Sequence, residues 1–161
     1  MCSCTHFYFR SVKIMDLRKM LSELKLCLYK FDYIVFAILF GSQATGYETS
    51  ESDVDVAIYP NRDLSVEDKI ELIYQISKCL GIPEDKIDIL ILSNALSLEL
   101  RYKIFRDGIL IFTRDEHMYK KFRDLSISLY LDYKIALDKV KYGEKYLKKT
   151  KEMLNGVKRE I

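Results

Sequence analysis

Asp53 and Asp55 stand at alternate positions at the mouth of VDVAIY, an apolar run that otherwise reads as a buried strand. Side chains alternate across an extended strand, so both carboxylates project to one side while Val54, Val56 and Ile58 point to the other. Two such charges about 5 Å apart repel by roughly 3 kcal/mol at an effective dielectric near 20, so the pair calls for a cation. Magnesium is the economical choice, because it takes oxygen ligands at about 2.1 Å and is commonly shared between one or two carboxylates and substrate phosphates. A third carboxylate, Asp88, opens the apolar run DILIL between Ile87 and Ile89, where an isolated charge is costly. If the two strands are neighbours, the three carboxylates converge and can hold two cations about 3.5 to 4 Å apart. Such a pair clamps the attacking and leaving oxygens of an in-line phosphoryl or nucleotidyl displacement. Asp88 is then placed to ligate the metal that binds the attacking hydroxyl and to help take its proton, while Asp53 and Asp55 bridge the metals that carry a triphosphate.

Gly41-Ser42 leaves another apolar run, IVFAILF at 34–40, and supplies what a phosphate needs. Glycine lets the backbone approach closely, and serine adds an N–H and a hydroxyl donor. Alone the dipeptide is an ordinary turn; its force comes from the carboxylates that follow at 53 and 55. Two better known phosphate loops are excluded. The span from Gly41 to Gly46 is followed by Tyr47-Glu48 rather than Lys-Ser/Thr, and it lacks the G-x-G-x-x-G spacing of dinucleotide folds.

These residues need strands to carry them, and the hydrophobic pattern provides four. A helix capped by Asp16 places Leu17, Met20, Leu21, Leu24 and Leu28 on one stripe. Strands follow at 33–40 and 54–59, the second stopped by Pro60. Ser65 begins a helix with Val66, Ile70, Ile73 and Ile76 on one side, which ends at Gly81 before Pro83. A third strand spans 86–92, a helix runs from Ser93 to Gly108, and ILIFT at 109–113 forms a fourth strand. The order predicts an α/β (α+β) fold, a small mixed sheet with helices packed mainly on one face. After Thr113 comes a long charged helix with Phe122, Leu125, Leu129, Tyr133, Ala136 and Val140 along one stripe. The simplest cover for that stripe is the chain's own sheet; the alternative is a docking face for a helical protein or a second copy. Most of the twelve tyrosines, Tyr133 among them, fall at core spacing. The chain divides into an N-terminal extension, 1–15, expected to be poorly ordered with Met15 as an alternative start, a domain at 16–113, and a helical extension at 114–161.

Composition excludes several classes. Of 161 residues, 49% are apolar, enough for one real core. The formal charge of +2, from 26 basic and 24 acidic residues, gives no general case for a nucleic-acid or membrane partner. No apolar run approaches the roughly 20 residues that cross a bilayer. Four cysteines, Cys2, Cys4, Cys27 and Cys79, show no framework spacing, which fits a reducing cytoplasm. Cys2-x-Cys4 with His6 has no matching second ligand pair and is set aside as a metal site.

The set Gly41-Ser42, ten intervening residues, Asp53-x-Asp55 and the later strand aspartate Asp88 resembles the signature of the polymerase-beta-type nucleotidyltransferases. Within that superfamily Ser52-Asp53-Val54-Asp55 in one small domain is similar to the minimal nucleotidyltransferase (MNT) antitoxins. The resemblance covers residues 16–113. It implies two Mg2+ ions on Asp53, Asp55 and Asp88, ATP as the donor, and Gly41 and Ser42 at the phosphates. It also implies a helical HEPN-type toxin as partner, assembled with this chain and neutralised by transfer of AMP to one of its tyrosines. Where many relatives read Ala-Arg-Gly after the Gly-Ser turn, this chain has Ala44-Thr45-Gly46 and lacks that cation. Arg101, Lys103 or Arg106 could replace it, although a solvated helix face is the simpler reading of each. Two alternatives stand beside protein modification: an antitoxin acting by steric docking, and transfer to a small acceptor such as an aminoglycoside. A nuclease built on Arg114 and His117 is set aside, because only two residues separate them where HEPN ribonucleases resemble one another in four to six.

Overall fold

The computed structural model describes residues 16–45 and 52–157. The N-terminal extension, with Cys2, Cys4, His6 and Met15, and the loop at 46–51 lie outside the described residues. Elements run α1 (Leu17–Leu28), β1 (Ile34–Phe40), α2 (Ser42–Thr45), β2 (Val54–Pro60), α3 (Val66–Leu80), a 3-10 turn (Glu84–Lys86), β3 (Ile87–Ile91), α4 (Leu98–Asp107), β4 (Ile109–Thr113) and α5 (Glu116–Val157). The strands form one mixed sheet in the order β3-β2-β1-β4. β1 pairs antiparallel with β2 and β4, whereas β2 and β3 are parallel and joined through α3, the crossover a parallel pair requires.

Local signals set the boundaries. The Asp16 carboxylate accepts from the Arg18 N–H at 3.2 Å and starts α1. Ser65 and Asp68 form a reciprocal capping box at α3, and Gly81 ends it in the left-handed region at φ 67°. The fourth helix starts later than the sequence suggests: Ser93 heads a short turn, and Ser97 caps α4 by accepting from the Leu100 N–H at 3.2 Å. At the other end of α4, a Cβ on Gly108 would lie 2.4 Å from the Ile104 carbonyl and 2.6 Å from Ile38 Cγ2. Only glycine lets that helix end come so close to β1.

The sheet is covered on both faces, not mainly on one. On the first face Ala37, Leu39, Val56 and Ile58 pack against α1 and α3 through Leu24, Leu28, Leu72 and Ile76. On the second, Phe36, Ile38, Ala57 and Leu92 meet Ile104 of α4 and Phe122 of α5. The inward stripe of α3 is therefore centred on Leu72 and Ile76, while Val66 and Ile70 are exposed. The long stripe on α5 also departs from expectation. Phe122 is buried, but Leu125, Leu129, Tyr133 and Val140 are exposed, so the chain's own sheet does not cover them. Tyr133 is accordingly no core residue, and Tyr142 and Tyr146 are exposed with it.

Candidate active site

β2 positions the first two carboxylates. Val54, Val56 and Ile58 enter the core beneath α1 and α3, which turns Asp53 and Asp55 to the opposite face. The parallel register sets Asp55 directly beside Asp88 of β3, with Val54 beside Ile87 and Val56 beside Ile89. Asp88 therefore shares the face of Asp53 and Asp55, and three carboxylates from two points in the chain meet at one end of the sheet.

Their electrostatics record the meeting. The Asp55 carboxyl is held above the usual carboxylate range by burial first, then by the charges of Asp88 and of Asp53. Asp53 is more exposed and forms an ion pair with Lys86 at 3.3 Å. Lys86 closes the 3-10 turn that leads into β3, so a single turn delivers both Asp88 and a cation to this edge. Nothing in the spacing of Lys86 had marked it.

Gly41 forms the wall. The register pairs Phe40 at the end of β1 with Asp55, and the chain then turns at Gly41 with φ +75°. A Cβ there would fall 2.0 Å from Asp55 Oδ2, so both the backbone conformation and the space demand glycine. Ser42 follows in α2, a one-turn helix where the sequence suggested only a turn. Next to it Gln43 is buried and its Nε2 donates to the Ser52 carbonyl at 3.5 Å, linking α2 to the residues that lead into β2. A glutamine within SQAT carries no sequence signal for that role.

The residues fit a divalent cation. Asp55 is half-buried, every influence on its carboxyl disfavours the charge, and the adjoining backbone leaves no room for a side chain. Among the described residues no three acidic, histidine or cysteine side chains are placed to hold a metal ion together, so the fit is that of the Asp55–Asp88 pair, with Asp53 drawn to Lys86. The arrangement is an open carboxylate edge, with one member held by Lys86, suited to an ion that arrives with oxygens of its own.

The other candidate residues fall elsewhere. Arg101 is not solvated; it is 3% exposed, donates through Nη1 to Asn94 Oδ1 at 3.1 Å, and lies 5.8 Å from the Phe122 ring centre. Lys103 pairs with Glu99, and Arg106 with Asp107. Arg114 is a structural clamp that donates to the carbonyls of Ile34 at 3.0 Å and Tyr29 at 2.5 Å, while His117 is exposed. A cleft of about 720 Å³ opens beyond the far ends of β2 and β3, lined by Tyr59, Arg62, Asn94 and Phe122, and contains none of the three aspartates.

The family model for "Polymerase beta, Nucleotidyltransferase" matches residues 22–117, a span that includes Gly41, Ser42 and all three aspartates. The chain belongs to the polymerase beta nucleotidyltransferase family. Solved structures agree on the nucleotidyltransferase fold. One is a toxin–antitoxin structure with AMP-PNP, 19% identical with a TM-score of 0.58. Another is the tri-AMPylated Shewanella oneidensis HEPN toxin in complex with MNT antitoxin, 18% identical at 0.56, and a third is the MntA–HepT toxin–antitoxin, 18% identical at 0.55. Each match covers 78% of this chain and 95% of the other. No curated protein matches the sequence. No helix among the described residues is long and apolar enough to cross a membrane.

Proposed function

We infer that this nucleotidyltransferase is an antitoxin that transfers AMP from ATP to a tyrosine hydroxyl of a HEPN-type toxin. The observation that carries the reading is the side-by-side register of Asp55 and Asp88 next to the Gly41 turn. The choice of AMP and of a HEPN-type partner is supported by the names of the structures that share the fold, one with AMP-PNP and one with an AMPylated HEPN toxin.

In this mechanism Asp53, Asp55 and Asp88 would hold two Mg2+ ions, which would supply neutralisation of phosphate charge and a more acidic acceptor hydroxyl. Gly41 and Ser42 cradle the phosphates, and the missing side chain at 41 lets the donor approach the carboxylate edge. Asp88 orients the acceptor hydroxyl and draws off its proton. The tyrosine oxygen attacks the α-phosphorus, the bond from that phosphorus to the bridging oxygen breaks, and pyrophosphate leaves with the electron pair. In this reading residues 16–113 carry the chemistry and 114–161 are a C-terminal extension, helical over Glu116–Val157.

The test is incubation of the chain with labelled ATP, Mg2+ and the protein encoded beside it, followed by intact mass. The expected result is one or more added adenylyl groups on the partner, lost with Asp53→Ala. A second reading, steric docking with little turnover, is favoured by the hold of Lys86 on Asp53. Neutralisation that survives Asp53→Ala, with no mass added to the partner, selects it over transfer.

A further inference from the structure

α5 spans 42 residues, about 63 Å at 1.5 Å per residue, and only its first part has a seat. Tyr119 and Phe122 enter the aromatic cluster, Ser126 is fully buried, and Tyr130 stacks on Tyr102 at 4.2 Å. The seat is α4, which runs antiparallel to α5. Phe105 meets Tyr119 and Phe122, while Tyr102, earlier in the chain, meets Tyr130 further on.

Beyond Tyr130 the seam continues in phase with nothing described on it. Tyr133, Val140 and Leu147 recur every seven residues, and so do Ala136, Gly143 and Thr150. The two series interleave by three and four, the a and d positions of a coiled coil. Lys134, Lys141 and Lys148 keep the same period on the outward side. The larger seam residues are 49%, 60% and 62% exposed at 133, 140 and 147.

Side-chain size identifies the occupant. One series is large and the other is small. A parallel copy would set Tyr133 on Tyr133 and Gly143 on Gly143, alternately overfilling and emptying the layers. An antiparallel copy faces a against d and matches Tyr133 with Thr150, Ala136 with Leu147, and Val140 with Gly143, each pair repeated by symmetry. Every layer then holds one large and one small residue about a twofold axis between Lys141 and Tyr142. This self-match in a single register is the mark of an isologous contact. The orientation also continues that of α4, which already lies antiparallel in the first part of the seam. Tyr133 and Tyr146 are 49% and 64% exposed, so the pairing would withdraw four partly exposed aromatic rings from water in addition to the a and d layers.

We propose that a second copy of this chain covers α5, the two helices pairing antiparallel over residues 133–150 and carrying one transferase sheet at each end of a shared rod. The pairing is independent of the AMP-transfer reading. Light scattering on the isolated full chain should give twice the 19.0 kDa mass, and Val140→Asp with Leu147→Asp should halve it. Because that variant could unwind α5, cysteine pairing gives a second measurement. With Cys2, Cys4 and Cys79 replaced by serine, Ala136→Cys plus Leu147→Cys should cross-link two chains on mild oxidation, and Ala136→Cys alone should not. A monomer at every concentration, a dimer untouched by the two aspartates, or cross-linking through Ala136→Cys alone would overturn the proposal. So would an isolated monomer that covers Tyr133 and Val140 only when a different helical protein is added.

Discussion

Two acidic sites at opposite ends of β2 are settled in opposite ways. Beyond its C-terminal end, Asp68 accepts from both Arg62 nitrogens at 2.7 and 2.8 Å and from the Ser65 N–H at 2.9 Å, and these bonds hold its carboxyl well below the usual range. Arg62 also lies over the Tyr33 ring at 4.4 Å. At the N-terminal end Asp55 is more buried, and its two acidic neighbours add to the cost of its charge. One end is electrostatically complete, whereas at the other the charge of Asp55 is left disfavoured, where we propose the ligand chemistry. Charge is thus satisfied beyond one end of the strand and left unsatisfied at the other, where the proposed transfer chemistry lies.

Asp55→Asn breaks the contrast most severely. Transfer should fall by about 10³-fold or more, the scale of losing one strong electrostatic contact in a transition state. In the absence of Mg2+ the melting temperature should instead rise, because a disfavoured charge is gone. Calorimetry beside a transfer assay checks both, and a variant less stable than the parent would refute the disfavoured charge. Gly41→Ala should lower both quantities. Positive φ alone costs about 1 to 2 kcal/mol, and the new methyl must push Asp55 aside. A double-mutant cycle with Asp55→Ala should therefore be strongly non-additive.

At the opposite end, Ser65→Ala should cost about 1 kcal/mol of stability through the lost cap and leave transfer unchanged. The two ends should also differ with pH. The Asp55 pKa is raised, so its contribution favours folding below the unfolded-state value and is lost as pH rises through the folded value. The Asp68 pKa is lowered, so its contribution is present above the unfolded-state value and lost as pH falls through the folded value. Metal-free Asp55→Asn should gain on the parent as pH rises, whereas the deficit of Asp68→Asn should close as pH falls, both read from denaturation midpoints. The smallest effect belongs to Lys86→Ala. An exposed pair changes stability by under about 1 kcal/mol, but half-saturation by Mg2+ in titration calorimetry should move to lower concentration as Asp53 is released.

The carboxylate edge was legible in the sequence because alternation along a strand is a two-residue rule, and one apolar face fixed where Asp53, Asp55 and Asp88 had to point. Helix caps at Asp16 and Ser65 were equally local. The start of α4 was misplaced at Ser93, because a serine ahead of an apolar stripe also suits the short turn that precedes the Ser97 cap. Arg101 misled because helical spacing reports which residues share a stripe, not that a guanidinium will be enclosed by Asn94 and Phe122. The stripe on α5 misled in the converse sense: periodicity showed an apolar face but not what lies against it. Lys86 and Gln43 act through turns whose geometry no short pattern encodes.

The pairing of β2 with β3 has a consequence for assembly. Slipping β3 by one residue would drive Asp88 into the oily layer between the sheet and α3, among Leu72 and Ile76. An ionised group stranded there makes the misaligned sheet self-rejecting. The side chain proposed to serve the reaction would thus also proofread strand alignment, and a mutant lacking it should lose some fidelity of folding.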